Sequence, residues 1–168
     1  MPQLLLMIKK RKWDLPMDLQ WLKSNEVVAD PLGDLNITDG KLSVWCIEED
    51  ESNLDLIITA LAANRQKFDK FEYGLFDQKL LDAVGISVKK DLGRTPLAEA
   101  NDWHRDLIEL TVDKASMLVN TIFNRLEKRR ILDREIRAKI LKAVESGDIT
   151  LNKLDPSMQN KIKERRSA

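Results

Sequence analysis

The sequence predicts an α+β fold that is predominantly α: a small antiparallel sheet or hairpin near the N-terminus packed on helices, followed by a long C-terminal helix and short helices. Three observations carry this expectation. Asp39-Gly40, a dipeptide preferred in two-residue hairpin turns, separates the candidate strands at 35–38 and 41–47. Leu54, Ile57, Ile58 and Leu61 recur at the spacing of one buried helix face. No glycine or proline interrupts the chain between Pro96 and Gly147, an interval far longer than an ordinary globular helix. The expected organisation is a small α+β unit over 1–94 and a helical region over 95–168, packed as one globular domain.

Taken in order, residues 3–9 form a short apolar run ending in charge, which suits a buried strand. Pro16 with Met17, Leu19, Trp21 and Leu22 suits a short helix carrying proline in its first turn. Val27-Val28-Ala29 reads as a strand stopped by the turn composition Asp30-Pro31-Leu32-Gly33. After the Asp39-Gly40 turn, the arm at 41–47 becomes mostly apolar on both faces towards its end, as in a central strand covered on both sides. Four acids, Glu48 to Glu51, then precede a helix opened by Ser52 with Asp55 three residues on, close to a capping box. Phe68, Phe71, Tyr73 and Phe76 cluster around Gly74, where the chain is expected to turn. A second helix follows, with Leu80, Leu81 and Val84 inward and Gly85 as its stop.

Thr95-Pro96 reads as an N-cap with proline in the first helical position, opening a helix over about 96–130, roughly 50 Å long at 1.5 Å per residue. Trp103, Leu107, Leu110, Met117, Leu118 and Ile122 give it a broad apolar stripe. A helix over 133–146 follows, carrying Ile136, Ile140, Leu141 and Val144 and ending at Gly147. Asp155-Pro156 opens a last helix over 156–164 with Met158 and Ile162. The charged end, 161–168, is expected to fray.

The chain has 168 residues, of which 43% are hydrophobic, enough for a folded core. No apolar run approaches the ~20 residues needed to span a bilayer. The opening apolar residues lack the pattern of a secretion signal, and Cys46 has no second cysteine to pair with. A cytoplasmic protein without a membrane partner is the expectation.

Sites of chemistry are few. His104-Arg105-Asp106-Leu107 matches the tetrad that opens a kinase catalytic loop, but glycine-rich loop and Asp-Phe-Gly are lacking, and Thr111 stands where the loop asparagine belongs. The tetrad is therefore read as part of the packing helix, with His104 on its surface. His104 is the only histidine, so paired-histidine metal motifs drop out. A Cys46–His104 nucleophile–base pair requires the two to meet in space. Asp34-x-Asn36-x-Thr38-Asp39-Gly40 resembles the start of a calcium loop, but its glycine comes one position late and Trp45 replaces the closing glutamate. Phosphate-loop, nucleophile-elbow and dinucleotide motifs do not occur, so no cofactor is expected. Asp30 and Asp34 are the weak candidates for metal ligands, and a metal-dependent enzyme with an acidic site near the hairpin is one alternative function.

Charge is segregated: residues 25–113 carry a net −10 and residues 125–168 a net +6, within a chain of zero net charge. The two halves can compensate each other, or each can meet an external partner. Arg125, Lys128, Arg129, Arg130, Arg134 and Arg137 form the stripe that a nucleic-acid-binding accessory protein would use, a second alternative function. The leading expectation is a non-enzymatic protein-interaction or oligomerisation module. Trp103, Leu107, Leu110, Leu118, Ile122 and Phe123 exceed a single narrow seam and are its interface candidates, through self-association or a protein partner. The acidic middle could alternatively hold a basic protein.

Overall fold

The computed structural model describes residues 2–8, 13 and 29–166. The helix expected after Pro16, the strand expected at Val27-Val28 and the last two residues lie outside these. In chain order the elements are β1 (Gln3–Ile8), α1 (Ala29–Asp34), β2 (Leu42–Ile47), α2 (Leu54–Ala63), β3 (Phe71–Asp77), β4 (Ser87–Lys90), β5 (His104–Ile108), α3 (Val112–Ile122), β6 (Glu127–Ile131), α4 (Asp133–Ser146) and α5 (Pro156–Arg166). Short 3₁₀ segments span Gln78–Val84 and Ala98–Trp103.

The six strands form one sheet in the order β4-β5-β2-β1-β3-β6, and every neighbouring pair is antiparallel. This corrects the expected fold class. The sheet is large rather than a small N-terminal hairpin, and its strands come from the whole length of the chain. β1 lies inside the sheet because its run Leu4-Leu5-Leu6 is buried on both sides, 0–4% exposed. Strand alternation sorts the side chains into two layers. Leu5, Trp45, Ile47, Tyr73 and Leu75 pack beneath α2, α4 and α5. Leu4, Leu6, Leu42, Val44, Phe76 and Leu107 pack against α3, the 78–84 segment and Trp13 on the other face.

The second correction concerns the expected long helix over 96–130. That stretch holds a 3₁₀ turn, β5, α3 and β6 in succession. Lack of a breaker permits a helix but does not require one, because burial and strand pairing outweigh propensities of a few tenths of a kcal/mol per residue. β5 fills both of its hydrogen-bonding edges, against β2 and β4, and thereby seals Leu107 completely. Glu109 then takes a positive φ of 57° and Leu110 N–H donates to the Gly40 carbonyl at 2.8 Å. Thr111 caps α3, its Oγ accepting from Lys114 N–H at 3.2 Å.

Two smaller expectations also change. Asp39 and Gly40 make the anticipated turn, with φ of 53° and 69°, and Thr38 and Lys41 exchange backbone bonds of 3.0 Å. Only that single bridge forms, however, and β2 pairs instead with β1 and β5. Gly74 lies inside β3 rather than at a turn, and space requires glycine there, since a Cβ would collide with the Leu126 side chain. The last helices fall where their start and stop signals put them. Glu135 reaches back to accept from Leu132 N–H at 2.9 Å, and Gly147 takes the left-handed conformation, φ 87°. Ile162, in the end expected to fray, lies on α5 and is 1% exposed against the core.

Candidate functional site

The kinase-like tetrad is a strand, so its side chains alternate. His104 lies opposite Trp45 and Asp106 opposite Ser43, all four on the α2 side of the sheet. Arg105 and Leu107 point the other way, and Leu107 joins the opposite core. On the outer side Lys89 of β4 lies opposite Asp106. Ser43, Trp45, His104 and Asp106 border a cleft of about 530 Å³, lined along one side by residues 91–95.

That side is held in place by Asn101. Its Oδ1 accepts from Thr95 N–H and Oγ, both at 2.9 Å, and its backbone carbonyl accepts from Gly93 N–H at 2.9 Å. Gly93 has to be glycine on space alone: a Cβ would lie 2.8 Å from both Asn101 Oδ1 and Trp45 Cη2. The segment therefore rests on the Trp45 ring. Thr95, expected as the cap of a long helix, serves this loop instead.

Asp106 is 6% exposed, as buried as Asp34, which borders the same cleft. Ser43 Oγ donates to its Oδ1 at 3.4 Å, His104 Nε2 stands 3.7 Å from the same oxygen, and Lys41 Nζ is 3.9 Å from Oδ2. His104 Nδ1 lies 3.2 Å from the Asp91 carbonyl, which can only accept, so this nitrogen carries a proton. The ring meets Trp45 edge-on at 5.1 Å. Leu92 N–H donates to the Asp91 carboxylate at 2.9 Å and, with smaller contributions from a side-chain hydrogen bond with Asp106 and from the charge of Lys41, holds it below the usual aspartate range.

The chemistry available follows from the order of contacts. Acyl-transfer triads place histidine between serine and aspartate. Here Ser43 and His104 both approach Asp106, which leaves the serine without a base. Cys46 and His104 do not meet either: Cys46 lies on the α3 side of β2, across the sheet from His104, and burial pushes its thiol above the usual range. The arrangement is suited to holding a ligand through fixed polar groups.

The residues expected from sequence are distributed differently. Leu107, Leu110, Leu118 and Ile122 are core residues, 0–7% exposed. Trp103 and Phe123 are half-buried, and Phe123 stacks on Trp13 at 6.1 Å. The six basic candidates are spread over a turn (Arg125), β6 (Lys128, Arg129, Arg130) and α4 (Arg134, Arg137). Arg129 makes two bonds of 2.6 Å to Glu51, Arg130 Nε lies 3.7 Å from Glu72, and Arg137 sits 5.5 Å over the Phe68 ring. Lys128 Nζ donates to the Trp13 carbonyl at 2.9 Å. Asp34 is buried and accepts from Trp13 Nε1 at 3.1 Å, while the Asp30 side chain lies outside the described residues. Among the described residues no group of three His, Cys, Asp or Glu is placed to hold a metal ion.

Sequence reasoning missed Ser43, Asp91, Gly93 and Asn101 and misread Asp106. The available signal was the period-two order of His104, Asp106 and Ile108 against Arg105 and Leu107, which a helical spacing also accommodates. The chain matches no protein-family profile, no curated protein and no solved structure. No helix among the described residues is long and apolar enough to cross a membrane.

Proposed function

We propose that this protein is a non-enzymatic interaction module that engages a protein partner at the cleft beside β5. The observation that carries this reading is the rim: Leu92 is 65% exposed on a segment pinned to Asn101 and Trp45. A large apolar side chain is thus held in water on ordered backbone, next to a polar floor. Pre-ordered surfaces of this kind lose little conformational entropy on binding, and an apolar anchor beside polar contacts is how interface cores are built. Self-association through 103–123 loses its motive, since four of its six candidate residues fill the core. The nucleic-acid alternative is weakened by the engagement of Arg129 and Arg130 with acids of the middle segment, and the metal alternative by Asp34 serving the Trp13 indole. A cytoplasmic setting, where Cys46 stays reduced, belongs to the same proposal.

The test is site-specific photo-crosslinking in the source cell. A benzoyl-phenylalanine at position 92 should give a discrete protein adduct. The same group at Val112, 76% exposed on α3 across the sheet, should not. Equal labelling from both positions, or none at 92, would overturn the reading.

A further inference from the structure

We infer that the partner presents an extended acidic segment, which adds to the free edge of β4 as a further strand of the sheet. This rests on the reading of the adjoining cleft as a protein-docking site and names the chemistry and binding mode of its occupant.

Backbone pairing supplies the first observation. β4 ends the sheet and, among the described residues, pairs with β5 alone. In an antiparallel ladder every second residue turns its N–H and C=O away from its partner, so β4 holds unpaired donors and acceptors along its outer side. Past β4 the chain runs through Asp91 and Leu92 into the segment pinned by Asn101, where Gly93 N–H and Thr95 N–H are each bonded at 2.9 Å. The edge is therefore ordered before a partner arrives, and beside it stands Leu92, 65% exposed.

Charge selects the occupant. Between residues 87 and 94 the chain carries Lys89, Lys90 and Arg94 against one acid, Asp91, whose carboxylate accepts from Leu92 N–H at 2.9 Å. Lys89 and Arg94 are exposed and have no ion-pair partner among the described residues. Lys90 lies 3.6 Å from Asp102, but the two side chains are 62% and 69% exposed, a pair that water largely screens. The opposite edge, β6, is different. Its cations are engaged within the chain: Arg129 by Glu51 and Glu127, Arg130 by Glu72, and Lys128 by the Trp13 carbonyl. β4 alone combines uncommitted cations with a leucine left in water. A cationic edge keeps a second copy of itself away and attracts an acidic strand. Main-chain bonds then supply affinity, acids meet the three cations, and an apolar residue reaches Leu92. A nucleic-acid strand would meet the same cations but has no ladder of amide donors and carbonyl acceptors to pair with β4.

The experiment titrates the isotope-labelled full chain with the peptide acetyl-Glu-Val-Glu-Val-Glu-Val-Glu-amide, following backbone amide shifts and hydrogen exchange. Saturable binding at millimolar concentration is expected, weakening with salt, with shifts and slowed exchange centred on β4 and none along β6. A chain carrying Lys89→Glu and Arg94→Glu, both exposed side chains, should bind about tenfold more weakly. The same peptide N-methylated throughout keeps its charge but has no amide donors, and should not bind. Absence of saturable shifts would overturn the inference. So would equal binding by the N-methylated peptide or by its lysine counterpart, or the same shifts produced by an oligothymidylate. The crosslink at position 92 separates the two proposals. An adduct that forms although the peptide does not bind leaves the docking site and removes strand addition as its mode. Peptide binding without any adduct keeps the acidic-strand site on β4 and overturns docking at the cleft.

Discussion

Gly74 shows how one missing side chain can set the packing of an element. Leu126 fills the place its Cβ would take, and Leu126 in turn leads the chain into β6 beside β3. Gly74→Ala should destabilise the protein by about 1–3 kcal/mol, the usual range for overpacking, with the urea midpoint as readout. Adding Leu126→Ala should recover part of that loss, because it vacates the contested space. Additive effects in the double variant would show that the two side chains do not compete. Asp39 illustrates the reverse situation. Its φ of 53° suits asparagine better than aspartate in a turn completed by Gly40 at 69°, so Asp39→Asn should raise stability by a few tenths of a kcal/mol. The turn at Asp39-Gly40 was legible because the left-handed conformation has a local chemical signature. The role of Gly74 was not, since its reason lies 52 residues away in Leu126.

At the scale of elements, β6 is tied to the turn before α2 by Arg129. Its guanidinium makes two bonds of 2.6 Å to Glu51 and one of 2.8 Å to Glu127. Glu51 is therefore held below its usual value near 4.5, mainly by the Arg129 hydrogen bonds. A carboxyl with a depressed folded value adds stability above its unfolded value, and that contribution disappears as pH falls through the folded one. Glu51→Gln should cost about 1 kcal/mol at pH 7, with the deficit shrinking steadily below about pH 4.5. Urea midpoints across pH 3–7 would check this, and a deficit independent of pH would contradict it. α5 makes a different contribution. Its outer residues are polar, but Met158 and Ile162 are 0% and 1% exposed, so Ile162→Ala should cost about 2–4 kcal/mol. Helices α4 and α5 were readable because caps and apolar spacing are local. β5 and β6 were not, because a five-residue strand earns its stability from neighbours that are distant in sequence.

For the whole molecule, folding brings the acidic middle and the basic end together. Glu51 meets Arg129, Glu72 meets Arg130 and Asp55 meets Lys139 at 2.6, 3.7 and 2.7 Å. Each pair spans the two oppositely charged stretches of the sequence, so internal compensation uses cations that otherwise resemble a nucleic-acid stripe. Both edges of the sheet carry charge as well: Lys89 and Lys90 on β4, and Lys128, Arg129 and Arg130 on β6. Like charges along an exposed edge oppose pairing with a second copy. With Leu107, Leu110, Leu118 and Ile122 inside the core, a monomer is expected by light scattering at micromolar concentration in both low and high salt. A salt-sensitive dimer would show that an edge or the cleft engages another copy.

The sequence by itself determined the burial of its apolar runs, the Asp39-Gly40 turn, the faces of α2 and α4, and the segregation of charge. These depend on residues within a few positions of one another. Only the tertiary structure decided that residues 104–108 and 127–131 are strands, that Gly74 receives Leu126, and that His104 and Asp106 share a face with Trp45 and Ser43. The physical reason is the same in each case. A strand satisfies its backbone through partners far along the chain, and its alternation assigns side chains to a face only once that pairing exists.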